Sequence, residues 1–441
     1  MHPTRRLFQL FRHTALALAA CLLLSATPAH ADTRIIVRTT AVNLLQATCQ
    51  MLGCTVQYGL GDPDGQVFLI TTPPLIPINV FLSIPGVMNV EIDSKGKTSG
   101  ATQQGAPPAL LDKNQISYYG TTVREGYVLQ PATQLIGLAN AQNTFHVKGK
   151  GTVAVIDTGV DPSHPALQGV LLPGYDFTRN KNSADEKGDV SQSTTAVIDQ
   201  STTAVIDQST TAVIDPYTAN QLNQPGTQGF GHGTMVAGVV HLVAPGAMIL
   251  PLKAFGVDGT GYDSDVIRAI YQAVRQNADV INMSFNFASP SNELKAAITN
   301  AYNKGTVLVA AAGNDGQQCA VYPASYTNMV MGVASTSNND TLSSFSNYGS
   351  MVWVGAPGEG VVTLFPWSTY AATWGTSFST PFVAGTAALL LDAGAFGTDK
   401  GQAENQAAQA VAHAKYINSA LGNGRLDVYQ AVLAWRRALG M

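Results

Sequence analysis

The chain has 441 residues, of which 45% are hydrophobic and 12% charged, with a formal net charge of −4. This length exceeds one ordinary domain, and the apolar share is enough to fill a large core. The weak negative balance removes the electrostatic case for nucleic acid or an anionic membrane surface as a partner.

Residues 1–31 read as a secretory signal peptide. Arg5, Arg6 and Arg12 give a basic start, Ala15 to Leu24 is apolar, and Ala29-His30-Ala31 is a cleavage signal. Leu18-Ala19-Ala20-Cys21 also resembles a bacterial lipoprotein signal. Leu22-Leu23-Leu24 directly after that cysteine and the good later site stand against it. No other stretch reaches the length of an uninterrupted apolar span, so no membrane crossing is expected in the mature chain. The expected location is secreted, extracellular or periplasmic.

Residues 32–93 read as a compact unit of their own. Arg34 to Arg38 is a strand, and Val42 to Leu52 has helical spacing with Val42, Leu45, Cys49 and Leu52 on one face. Cys54 to Tyr58 and Gln66 to Thr71 are strands, Ile78 to Ile84 a short helix, and Val87 to Asp93 a last strand. The order β-α-β-β-α-β predicts a small ferredoxin-like sheet. Cys49 and Cys54 are either a disulfide or two buried thiols. Cys319 is a lone buried or unreactive thiol. No spacing of cysteines or histidines suggests a metal, and no cofactor is expected.

Residues 94–130 read as an exposed linker at their start and as linker or domain arm after Leu110. From 131 to 441 the pattern is that of an α/β domain with a doubly wound, mostly parallel sheet. Thr152 to Ile156 is a continuous apolar run suited to a central strand. Val239–Val243, Ile249–Leu252, Val280–Met283, Val307–Ala311 and Val330–Val333 are further short runs. Helical segments run from Asp263 to Asn277 and from Asn292 to Asn303. An insertion at about 178–228 carries Gln-Ser-Thr-Thr-Ala-Val-Ile-Asp three times, at 192–199, 200–207 and 208–215. Identical copies meet different surroundings in a packed domain, so a surface loop or loosely paired short strands is expected. Gly401 to His413 and Leu426 to Leu439 predict two final helices around a Gly422-Asn423-Gly424 turn.

Four residues carry candidate chemistry. Asp157 ends the strand before Thr158-Gly159 and is either a catalytic carboxylate or a turn cap. The repeats copy Ala-Val-Ile-Asp without Thr-Gly after it and are decoys. His232 lies between two glycines at a helix start, a setting that His164, His241 and His413 lack. Asn314 follows a central strand and is either an oxyanion donor or a turn residue. Ser377 opens an apolar helical stretch and is either a nucleophile or an N-cap.

Together these residues run in the order Asp, His, Ser that distinguishes one form of the serine triad. Val153-Ala154-Val155-Ile156-Asp157-Thr158-Gly159-Val160-Asp161, His232-Gly233-Thr234 and Gly375-Thr376-Ser377 followed by Thr380-Pro381 resemble the subtilisin-like serine proteases. Val280 to Ser284, Ala311 to Asn314 and Ala356-Pro357-Gly358 do so too. Residues 32–93 resemble the family's inhibitor-type propeptide.

The resemblance implies a serine endopeptidase made as a self-processing zymogen, with cleavage within about 94–130. It implies Ser377 as nucleophile, His232 as base and acid, Asp157 as its orienting partner and Asn314 as oxyanion donor. Gly259, Thr260 and Gly261 on one side and Ser284, Phe285 and Asn286 on the other resemble the edges that hold substrate as an added strand. Expected partners are protein or peptide substrates and the chain's own propeptide, with the protease itself a monomer.

Two departures limit the resemblance. Phe285-Asn286-Phe287 stands where the family usually has Leu-Gly-Gly, which crowds the S1 entrance. His164-Pro165-Ala166-Leu167 lacks the Asp that helps bind calcium in the family, so no calcium site carries over. The competing reading is a catalytically silent or permanently prodomain-inhibited protein of the same fold.

Overall fold

The structure, a computed structural model, describes residues 32–98, 100–101, 105–190, 203–205, 210–213, 222 and 226–441. The expected signal peptide, the first repeat copy and most of the other two lie outside the described residues. Two compact units emerge. One runs through Gly59 and includes Gln66–Ile92; the other comprises Leu60–Gly65 and Asp93–Met441.

The first unit holds β1 (Thr33–Thr39), α1 (Val42–Leu52), β2 (Thr55–Gly59), β3 (Val67–Thr72), α2 (Asn79–Leu82) and β4 (Val87–Ile92). Its sheet runs β2-β3-β1-β4, antiparallel throughout. Alternation along β1 buries Ile35 and Val37 with Leu45 and Cys49 of α1 and Phe81 of α2. Gly53 ends α1 in the left-handed conformation that glycine adopts without strain. Cys49 and Cys54, on either side of that turn, form a disulfide.

The second unit contains β5 (Lys95–Thr98), β6 (Thr152–Asp157), β7 (Tyr175–Asp176), β8 (Lys181–Asn182), β9 (Thr203–Val205) and β10 (Thr210–Val213). It continues with α3 (His232–Val243), β11 (Met248–Lys253), β12 (Thr260–Tyr262), α4 (Asp263–Arg275), β13 (Val280–Met283) and β14 (Phe285–Asn286). Then come α5 (Asn292–Asn303), β15 (Val307–Ala311), β16 (Met331–Thr336), β17 (Val352–Pro357), β18 (Glu359–Phe365) and β19 (Thr369–Trp374). Helices α6 (Thr376–Ala393), α7 (Gln402–Val411) and α8 (Val428–Ala438) close the chain.

The main sheet runs β8-β7-β11-β6-β13-β15-β16-β17. Every pairing in it is parallel except β8 with β7. The strands β13 and β15 are buried at every position, as parallel strands covered on both faces must be. Helix α6 is buried from Thr376 through Leu390 and packs against α3 and the sheet. This is the α/β architecture expected from the sequence.

Two segments differ from expectation. Val239–Val243 reads as a strand run but completes α3, because the helix that starts at His232 has no breaker before Ala244. The segment after residue 94 is not an exposed linker. Asp93 fixes its start by accepting from the Ser264 N–H (2.8 Å) at the beginning of α4. Further on, Ala101, Leu110, Val123 and Tyr127 join the main core. The repeats follow one of the two expected forms: short strands of the second and third copies pair as the hairpin β9–β10, which extends β19 and β18 into a four-stranded antiparallel sheet.

Candidate active site

The architecture gathers the four candidate residues at one edge. Asp157 is the last residue of β6, and Asn314 lies three residues past β15, so both sit at carboxyl ends of parallel strands. His232 is the first residue of α3 and Ser377 the second of α6. Ligands of open α/β sheets bind at this edge.

Asp157 and His232 are in direct contact. The imidazole Nδ1 is 2.7 Å from Asp157 Oδ1, and both side chains are buried. The same carboxylate oxygen accepts the Thr158 N–H at 2.7 Å. With Nδ1 on the carboxylate, the tautomer that donates there leaves Nε2 as the basic nitrogen. His232 Nε2 is buried and makes no hydrogen bond among the described residues. The Phe378 ring packs 5.1 Å from the imidazole centroid and fixes its plane. Gly233 is required beside it, because a Cβ there would overlap the Gly159 carbonyl.

Beneath this pair lies a residue that the sequence did not single out. Glu186 is fully buried. It accepts from Thr158 Oγ1 (2.9 Å), the Gly231 N–H (3.0 Å) and the Thr234 N–H (3.2 Å), and bonds Thr234 Oγ1. It therefore ties the loop after Asp157 to the first turn of α3. Burial pushes its carboxyl up to about 8, and the hydrogen bonds from Thr234 and Thr158 only partly offset this. His241, on the same helix, is driven the other way, to about 4, by burial and by His164, which keeps its ring neutral.

Ser377 is held by an exchange with Ser284. Its Oγ donates to Ser284 O at 2.9 Å, and Ser284 Oγ donates to Ser377 O at 2.7 Å. The second bond has a cause in the sequence. Pro381 stands four residues after Ser377 inside α6 and has no N–H, so the helix cannot satisfy the Ser377 carbonyl. The Ser284 hydroxyl takes over that role.

Asn314 is oriented by Thr376, whose N–H and Oγ1 both donate to Asn314 Oδ1 (2.8 and 2.9 Å). That fixes the amide plane and turns the NH₂ branch to the opposite side. Ser377, as the second residue of α6, has its N–H in the first helical turn, at the positive end of the helix dipole.

The two sets of expected edge residues flank one segment of the chain. Strand β5 lies between β12 and β14, antiparallel to both. Gly96 pairs with Gly261, Lys97 with Thr260 and Asn286, and Thr98 with Phe285. The Thr98 N–H donates to Gly259 O at 2.8 Å. Past it, the Ala101 N–H donates to Trp374 O at 2.8 Å, three residues before Ser377 in sequence.

Thr376 and Trp374 also lie beside these residues and were missed as such, whereas Phe287 was noted in the Phe285-Asn286-Phe287 departure. Thr376 was legible only as part of its motif, and Trp374 carries no signal. Cys319 is half-buried and outside the disulfide, and burial raises its thiol. Among the described residues, no three or more His, Cys, Asp or Glu side chains are grouped to hold a metal ion. No helix there is long and apolar enough to cross a membrane.

Residues 149–430 match the family model described as the subtilase family. Thermitase from Thermoactinomyces vulgaris is 34% identical over 297 residues, covering 65% of this chain and 90% of that protein. A thermophilic serine proteinase from Bacillus sp. (strain AK1) is 35% identical over 294 residues, 64% of this chain and 61% of that protein. Subtilisin BL from Lederbergia lenta is 41% identical over 177 residues, 38% of this chain and 65% of that protein.

Proposed function

The chain belongs to the subtilase family of serine endopeptidases, and from that premise we propose that it is a secreted zymogen that cuts itself through Asp157, His232 and Ser377. Residues 1–31 direct export, residues 32–93 are the propeptide, and the protease domain follows. The observation that carries this reading is the placement of residues 95–98, antiparallel between β12 and β14, with Ala101 bonded to Trp374 beyond them, as an extended substrate would lie.

The geometry supports the following chemistry. Ser377 Oγ leaves the Ser284 carbonyl, gives its proton to His232 Nε2 and attacks a peptide carbonyl carbon held in the cleft. Asp157 Oδ1 stabilises the imidazolium through Nδ1. The oxyanion is met by the Asn314 amide and the Ser377 N–H at the positive end of α6. As the C–N bond breaks, His232 returns the proton to the leaving amine. Water then hydrolyses the acyl-enzyme by the same steps in reverse. The substrate backbone supplies the strand pairing that β5 occupies, so protein and peptide chains are the expected substrates.

Expression of wild type beside Ser377→Ala tests this. Wild type is expected to shorten itself and to take a fluorophosphonate label. Ser377→Ala is expected to do neither. Self-shortening at the same rate in Ser377→Ala, or a wild type that neither shortens nor labels, overturns the proposal.

A further inference from the structure

Strand β5 does more than occupy the cleft, because one of its positions is closed to every side chain. Side chains of a strand alternate between faces. Along β5, Lys95 and Lys97 are exposed, whereas Gly96 between them is buried. The wall it meets is Phe287. A Cβ built on Gly96 would stand 2.6 Å from Phe287 Cε1 and 2.8 Å from both Cδ1 and Cζ.

Phe287 is not placed to yield. Its side chain is 1% exposed. Its ring packs edge-on against Phe285 at 6.0 Å, and Phe285 packs on Phe255 at 4.9 Å. Its backbone is clamped by a pair of hydrogen bonds with Tyr322, N–H to O at 2.8 Å and O from N–H at 3.0 Å. On the opposite edge, Gly261 is the cross-strand partner of Gly96, and the backbone pairing on both sides holds β5 in this register. Sliding away from Phe287 therefore breaks strand hydrogen bonds.

We infer that Phe287 makes this protease selective for glycine at the substrate position that Gly96 occupies, two residues before the one held by Thr98. The inference rests on the reading that residues 95–98 lie along the substrate path, and it deepens that reading into a substrate class: extended segments with a glycine at this position. The aromatic triplet Phe255, Phe285 and Phe287 fills the space in which a side chain would otherwise be received. Selectivity here comes from exclusion, since a rigid filled pocket penalises each added carbon by forcing displacement of packed groups.

The test uses the self-processed wild-type protein and internally quenched peptides with the sequence of residues 95–101, carrying Gly, Ala or Val at the position of Gly96. Replacing Gly by Ala is expected to lower kcat/KM about ten- to a hundredfold, and Val to lower it further. Phe287→Ala is expected to bring the Gly-to-Val ratio close to one. In the full chain, Gly96→Val is expected to slow self-processing, and Gly96→Val with Phe287→Ala to restore it. Equal cleavage of the Gly and Val peptides by wild type overturns the inference while leaving the protease reading intact. This comparison needs no variant to fold. Failure to cut any peptide, together with no fluorophosphonate label, removes the underlying reading and this inference with it.

Discussion

Two short strands in the second unit are each paired on both sides, and they are specified in different ways. Strand β5 is hydrogen-bonded on both sides and contains Gly96, a residue that its surroundings select. Strand β10 is also paired on both sides, by β19 and by β9, but its neighbour β9 is another copy of its own sequence. Ala204 faces Ala212, the same position in two copies. A shift by one whole repeat presents the same letters to the same partner. Both strands are held by backbone pairing, but in β5 the residue at Gly96 also ties the strand to one register, whereas any copy can supply the pairing of β10.

The site around β5 should be the more fragile of the two. Asn314→Ala is expected to lower kcat about 10²–10³-fold, the size found for a donor of this kind in subtilisin itself. Peptide kinetics on the processed protein measures it. An unchanged kcat removes Asn314 from the mechanism.

Ser284→Ala comes next. It leaves the Ser377 carbonyl without its hydroxyl donor, and Pro381 offers no N–H in exchange. A buried polar group left unpaired costs about 1–3 kcal/mol, readable by denaturant unfolding. A neutral result means that the carbonyl finds another donor.

Glu186→Gln probes the support beneath the dyad through pH. The folded protein holds the Glu186 proton up to about 8, whereas the unfolded chain releases it at about 4.3. Its contribution to stability is therefore complete below the unfolded value and lost as pH rises towards 8. The wild type should lose stability relative to Glu186→Gln across that window, and parallel curves would contradict the assignment.

The smallest effect is expected from the repeats. Removing any one copy leaves the same sequence, and two copies suffice for the hairpin. Unfolding free energy should change by no more than about 0.5 kcal/mol, with self-processing unaltered. A loss of several times that size means that the copies are not interchangeable.

What was legible in the sequence follows the same division. The central strands could be read because burial on both faces demands unbroken apolar runs such as Val153 to Ile156. Asp157, His232, Asn314 and Ser377 could be picked out because each stands at an element end with small neighbours. Glu186 could not, because its partners Thr158, Gly231 and Thr234 are distant in sequence and no periodicity marks the contact. Val239–Val243 misled because a buried helix and a buried strand have the same composition over five residues. Residues 94–109 misled because β5 is held by backbone pairing, which leaves polar side chains such as Lys95 and Lys97 free to remain in water. Phe287 was visible as a departure from Leu-Gly-Gly, but its contact with Gly96 needed the register of β5.

The most direct measurement is the N-terminal sequence of the purified wild-type protein after self-processing. Residues 95–98 are paired between β12 and β14, and the next described backbone bond joins Ala101 to Trp374, close to Ser377 in sequence. A new N-terminus at Ser99, Gly100 or Ala101 is expected. An N-terminus at Gly105 or later, or one that remains at Asp32 in active protein, would contradict it.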